Sequence, residues 1–107
     1  MADALSAAAE PTRRRLLQML AAGPRTVGEL AEHFPVTRPA ISQHLAVLAD
    51  AGLVTAQKEG RQRFYSVVPA GITQLRAEIA RFWSTELDLL VEDATRRAIT
   101  HSEGHLA

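Results

Sequence analysis

Apolar and polar positions along the chain alternate with helical spacing almost everywhere, and with strand spacing in one short segment. Residues 3–9 are alanine-rich with Leu5 as the one large apolar anchor, and read as a first helix. A second helix opens at Pro11, a residue tolerated in a first turn, and buries Leu16, Leu17 and Leu20 before Gly23-Pro24 stops it. Thr26 and Glu29 have the spacing of a capping box, so a third, short helix follows with Val27, Leu30 and Ala31 on its apolar face. Phe34-Pro35 breaks that helix, because proline lacks an amide hydrogen and disfavours helical geometry in the residue before it. Thr37 then caps a fourth helix with Pro39 in its first turn and Ile41, Leu45 and Leu48 at i, i+4 and i+7. Gly52 suits the position just past the end of this helix, with Leu53 packing back. From Val54 to Val68 the pattern becomes that of a β-hairpin, VTAQKE and RQRFYSVV about a turn at Gly60.

After Pro69-Ala70-Gly71 comes a final helix over residues 71–97, roughly twenty-five residues and close to 40 Å long. Ile72, Leu75, Ile79, Phe82, Trp83, Leu87, Leu90, Val91 and Ala94 recur along it at three- and four-residue steps. So long a stripe exceeds what a small domain covers, which predicts a symmetric dimer sharing this helix and the first one. Leu5, Leu75, Ile79, Phe82, Trp83, Leu87 and Leu90 are the expected interface residues. Packing of the whole stripe within one chain is the alternative. Phe82-Trp83 could also line a ligand pocket, although buried aromatics more often belong to a core.

The third and fourth helices carry the candidate function. Their apolar faces pin them together and leave Arg38, Ser42 and Gln43 outside. An exposed polar helix held by a short preceding one is what a helix-turn-helix presents to the major groove; an ordinary helical hairpin is the plainer reading.

Composition narrows the class. At 107 residues and 47% apolar, the chain suits one small globular domain, with no apolar run long enough for a bilayer and no signal-peptide pattern. It is therefore expected to be soluble and cytoplasmic. No cysteine occurs, which excludes disulfides, thiolate metal sites and thiol redox sensing. The formal net charge is zero, but it is unevenly spread. Residues 11–65 hold eight basic and four acidic side chains, a balance of +4, and each flank carries −2. A duplex meets the local field and not the average.

Three segments together, EPTRRRLLQML, TVGELAEHFPVTRPAISQHLAVLADAGLV and EGRQRFYSV, resemble the ArsR/SmtB family of bacterial winged-helix repressors. The resemblance spans roughly residues 5–95. It implies a mostly α fold with a small β-hairpin, a winged helix-turn-helix in the order of four helices, two strands and a fifth helix, dimeric through the first and last helices. Residues 1–107 would then be one domain: a DNA-binding core at 11–68, dimerisation helices at 1–10 and 71–97, and a flexible tail at 98–107. It also implies repression at an inverted repeat, often the regulator's own promoter, relieved by an inducer. Metal sensors of the family often carry a Cys-Val-Cys type motif where this chain has Thr26-Val27-Gly28, or an Asp-x-His pair with a later His-x-x-Glu. No histidine occurs between Gly71 and Thr100, so the chain looks like the branch without metal sites.

Arg38, Pro39, Ala40, Ser42 and Gln43 are the candidates for base reading. Arginine pairs bidentately with guanine, glutamine does so with adenine, and small apolar groups meet thymine methyls. Thr37, His44, Lys58, Arg61, Arg63 and Tyr65 are the candidates for phosphate or wing contacts, which position without specifying. Arg13 to Arg15 are further basic candidates, at least one of them expected to face solvent or pair with an acid. No cofactor is expected, and the identity of any small-molecule effector is open. An enzyme is disfavoured: Ser42 and His44, two apart on a helix, diverge, and neither a phosphate loop nor a paired acid stands out. Two alternatives remain, a metal-responsive repressor using His101, Glu103 and His105, and a winged-helix module for protein contacts alone.

Overall fold

The computed structural model describes residues 3–106, with side chains described as far as Thr100. The elements run α1 (Ala4–Ala9), α2 (Pro11–Ala21), β1 (Arg25–Thr26), α3 (Val27–Ala31), α4 (Arg38–Asp50), β2 (Val54–Glu59), β3 (Gln62–Val67) and α5 (Pro69–Leu106). Two compact units divide the chain, Met1–Leu75 and Arg76–Ala107.

Local chemistry sets most of these boundaries. Asp3 caps α1, Glu10 caps α2 by accepting from the Arg13 amide at 2.8 Å, and Pro11 opens α2 as expected. The Thr26–Glu29 capping box is formed in both directions, at 3.0 and 3.1 Å. At the end of α4 the amides of Gly52 and Leu53 donate to the carbonyls of Ala49 and Leu48, both at 3.0 Å. Gly52 takes φ 80°, so this is the left-handed reversal that glycine permits, with Leu48 and Leu53 both fully buried across it.

The first unit is built around one apolar core. Leu16 and Leu20 of α2, Leu30 of α3, Ile41, Leu45 and Leu48 of α4, and Leu53, Val54 and Leu75 meet there, with Ala7 of α1 at its margin. Each large side chain so buried contributes about 1.5–3 kcal/mol, which is why α3, too short to hold alone, keeps its shape. Leu17 is only half-buried, so two of the three leucines expected in α2 reach the core.

Two features depart from the sequence reading. The wing has three strands in the order β1-β3-β2, because Arg25 pairs with Tyr65 and Thr26 with Phe64. Two residues carry no alternation, so periodicity does not reveal β1. The final helix is also longer than expected, 38 residues against roughly twenty-five, its backbone helical through to Leu106 across the stretch read as a tail. No proline follows Pro69 and no glycine lies between Gly71 and Gly104, so the sequence holds no such residue to end the helix near 97.

Candidate nucleic-acid interface

The N-terminal end of α4 is organised by its cap. Thr37 accepts from the Ala40 amide at 3.3 Å, with Pro39 in the first turn. With Ile41, Leu45 and Leu48 fully buried, Arg38, Pro39, Ser42 and Gln43 are left exposed on the other side, as the sequence predicts. Ala40 is half-buried at the edge of this face. The Arg38 side chain bends back across Gly28 of α3, where a Cβ would stand 3.1 Å from its Cζ. Arg38 and Gly28 line one open cleft of about 270 Å³ together with Thr26, Val27, Gln62 and Arg63. Helix α4 and strand β3 thus bring two guanidinium-bearing residues to the same cleft.

Strand register sorts the wing by charge. Lys58 lies opposite Arg63 and Ala56 opposite Tyr65, whereas Gln57 faces Phe64 and Glu59 faces Gln62. Directly paired residues share a face of the sheet, so Lys58, Arg63 and Tyr65 stand on one side and Glu59 on the other. Like charges directly across a ladder repel, and an anion between them relieves that cost. The two-residue loop is Gly60-Arg61, with Gly60 at φ 63°, which leaves Arg61 exposed at the tip.

His44 is placed differently from the other phosphate candidates. It flanks the buried face of α4, and its Nδ1 lies 3.3 Å from Arg13 Nη1 and 3.8 Å from Glu10 Oε2. The histidine therefore looks toward the junction of α1 and α2, away from Ser42 and Gln43, because position 44 falls one turn from Ile41 and Leu48. Burial pushes the Glu10 carboxyl up, but the amides of Arg13 and Thr12 outweigh it. Charge on His44, when that ring is protonated, and on Arg13 favours the anion further, and the group ends below the usual glutamate range.

The arginine run of α2 is likewise engaged within the chain. Arg13 Nε donates to the Ala7 carbonyl at 2.7 Å, Arg14 Nη2 donates to the Ala9 carbonyl at 3.2 Å, and Arg15 lies 5.8 Å over the Phe34 ring. Sequence reasoning left their partners open. The only signal available was their position after α1, whose last carbonyls have no helical donors.

In the second unit Phe82 and Trp83 meet edge to face, 5.3 Å between centroids. Both are nearly half exposed, at 47% and 46%, and Leu87, Leu90 and Val91 are more so. Of the other expected interface residues, Leu5 and Ile79 are half-buried and Leu75 is buried. No group of three or more His, Asp or Glu suited to a metal ion occurs among the described residues. The side chains of His101, Glu103 and His105 lie outside them. Among the described residues no helix is long and apolar enough to cross a membrane.

The family model for bacterial regulatory proteins of the arsR family matches residues 10–56, from the cap of α2 into β2. The HTH-type transcriptional regulator Rv2034 of Mycobacterium tuberculosis is 48% identical over 84 residues, which cover 78% of each chain. The transcriptional repressor SdpR of Bacillus subtilis is 37% identical over 67 residues, 63% of this chain and 74% of its own. Among solved structures, one described as a possible transcriptional regulator for arsenical resistance is 58% identical with a TM-score of 0.78. It covers 87% of this chain and 97% of that one.

Proposed function

Since the chain belongs to the ArsR family, and so is a DNA-binding transcriptional regulator and not an enzyme, we propose that it is a homodimeric repressor acting at an inverted-repeat operator without a metal ion. The observation that carries the DNA side is the pairing of two cations, Lys58 and Arg63, on one face of the wing, with Arg63 in the cleft that Arg38 of α4 also lines. Such a pair is costly without an anion and favourable against a phosphate backbone. Arg38, Ser42 and Gln43 read bases, with Pro39 and Ala40 against thymine methyls. Arg61, Arg63, Lys58, Tyr65 and Thr37 hold the backbone. Arg38 leaves Gly28 to reach a base edge, a rotation its exposed side chain permits.

The dimer rests on the row of exposed apolar residues of α5, Phe82, Trp83, Leu87, Leu90 and Val91. Contiguous apolar surface of this kind marks an interface, and two-fold symmetry in the protein calls for two-fold symmetry in the site. Control of the chain's own promoter is part of the same proposal.

Metal independence rests on donor chemistry. Soft ions need thiolates, and the chain has none; tight zinc sites need three or four placed ligands. The test is to let the protein select duplexes from a random pool after chelator treatment, then to titrate zinc, nickel, cadmium and arsenite against the complex. A palindromic consensus bound by two chains, unmoved by the ions, is expected. Release by micromolar metal in the full chain, abolished by truncation at Thr100, would instead establish His101, Glu103 and His105 as a sensor. Failure to select any duplex would favour a module for protein contacts.

A further inference from the structure

The contacts around Arg13 join three elements. Helix α1 ends at Ala9, and its last carbonyls lack helical donors, so the Ala7 carbonyl is free to accept. Arg13 meets it through Nε at 2.7 Å and extends Nη1 to His44 Nδ1 at 3.3 Å. The Arg13 amide is meanwhile held by Glu10 Oε2 at 2.8 Å, and the same oxygen stands 3.8 Å from the histidine. One guanidinium thus spans from α1 to the middle of α4, one residue from Gln43. Its planar fork suits this bridge, since Nε and Nη1 donate from fixed relative positions.

We propose that Arg13 is a positioning residue for operator recognition: through His44 it ties α4 to the end of α1 and so sets how the exposed face of α4 is presented. The inference rests on the reading of that face as the DNA reader. On this proposal neither Arg13 nor His44 contacts the duplex itself. For the bridge to form, His44 Nδ1 is the bare acceptor and its proton sits on Nε2.

The full-length protein provides the test, as wild type and as Arg13→Met, His44→Leu, His44→Asn and the Arg13→Met/His44→Leu double variant. Affinity is measured by fluorescence anisotropy at several salt concentrations, on a duplex selected by the wild type from a random pool. Each single loss of the bridge is expected to weaken binding roughly tenfold, the size of one charge-assisted hydrogen bond. The double variant should be no weaker than either single one. His44→Asn, whose Oδ1 occupies the place of Nδ1, should recover most of the affinity, and the salt slope should stay at its wild-type value throughout. A slope reduced by about one phosphate-equivalent in Arg13→Met would mean that Arg13 touches DNA directly, which overturns the proposal. So would additive losses, or a His44→Asn variant as weak as His44→Leu. Should Arg13→Met fail to fold, nitrogen NMR of the wild type decides: a proton on His44 Nδ1 at neutral pH overturns the bridge, and the Nε2–H tautomer supports it. A wild type that selects no duplex refutes the reader itself, a result distinct from failure of the bridge on DNA that binds.

Discussion

Gly71 shows how a single residue can be settled by contacts far along the chain. It lies in the first turn of α5, and a Cβ built on it would run into the carbonyl of Gly52 at the end of α4. Backbone cannot retreat as a side chain can. Gly71→Ala, which elsewhere in a helix gains about 0.5–1 kcal/mol, should here cost about 1–3 kcal/mol. In thermal unfolding that is a fall of several degrees or more. An unchanged or raised melting temperature would show that the close approach is not required. At the same scale, the arginines of reader and wing should fail differently. Arg38→Ala should flatten base preference at one position of each half-site. Arg63→Ala should weaken all sequences alike and lower the salt slope by about one. Anisotropy on operator variants at several salt concentrations separates them, and uniform loss in both would make Arg38 a phosphate contact.

At the scale of elements, α3 depends on its cap. It has five residues, too few for helix propensity to sustain, and both ends of its capping box are satisfied. Thr26→Ala should cost about 1 kcal/mol, measured by urea unfolding. The box also titrates. The Thr26 amide and hydroxyl hold the Glu29 carboxyl below its ordinary value of 4.5. A depressed carboxyl gives stability that is complete above the unfolded value and lost as pH falls through the folded one. Unfolding midpoints of the wild type should therefore drop through the acid range more steeply than those of Glu29→Gln. Parallel profiles would remove Glu29 from the account. How legible an element was depends on where its information lies. The starts of α2, α3 and α4 and the end of α4 were readable because Pro11, Thr26, Thr37 and Gly52 act on neighbours within four residues. The strand β1 was not, because its hydrogen bonds go to Phe64 and Tyr65, some forty residues away.

For the whole molecule the decisive element is α5. Its residues from Phe82 onward leave large apolar groups in water, and association of two copies would cover them. A charge at the half-buried margin of this row, Ile79→Glu, should give monomers by analytical ultracentrifugation. Their operator affinity should fall at least a hundredfold, since linked half-sites no longer act together. A wild type that sediments as a folded monomer at micromolar concentration would refute the dimer.

Taken alone, the sequence determined the helix order, the buried and exposed faces of α4, the hairpin with its turn, and the absence of thiolate chemistry. All of these follow from interactions between residues close in the chain, or from composition. Only the tertiary structure decided that Arg13, Arg14 and Arg15 turn to Ala7, Ala9 and Phe34, and that His44 faces Glu10 and Arg13. The physical reason is one of direction. An arginine reaches over several ångströms and takes whichever acceptor or ring the fold brings near. Sequence spacing defines which groups are available, whereas the packed chain defines which of them meet.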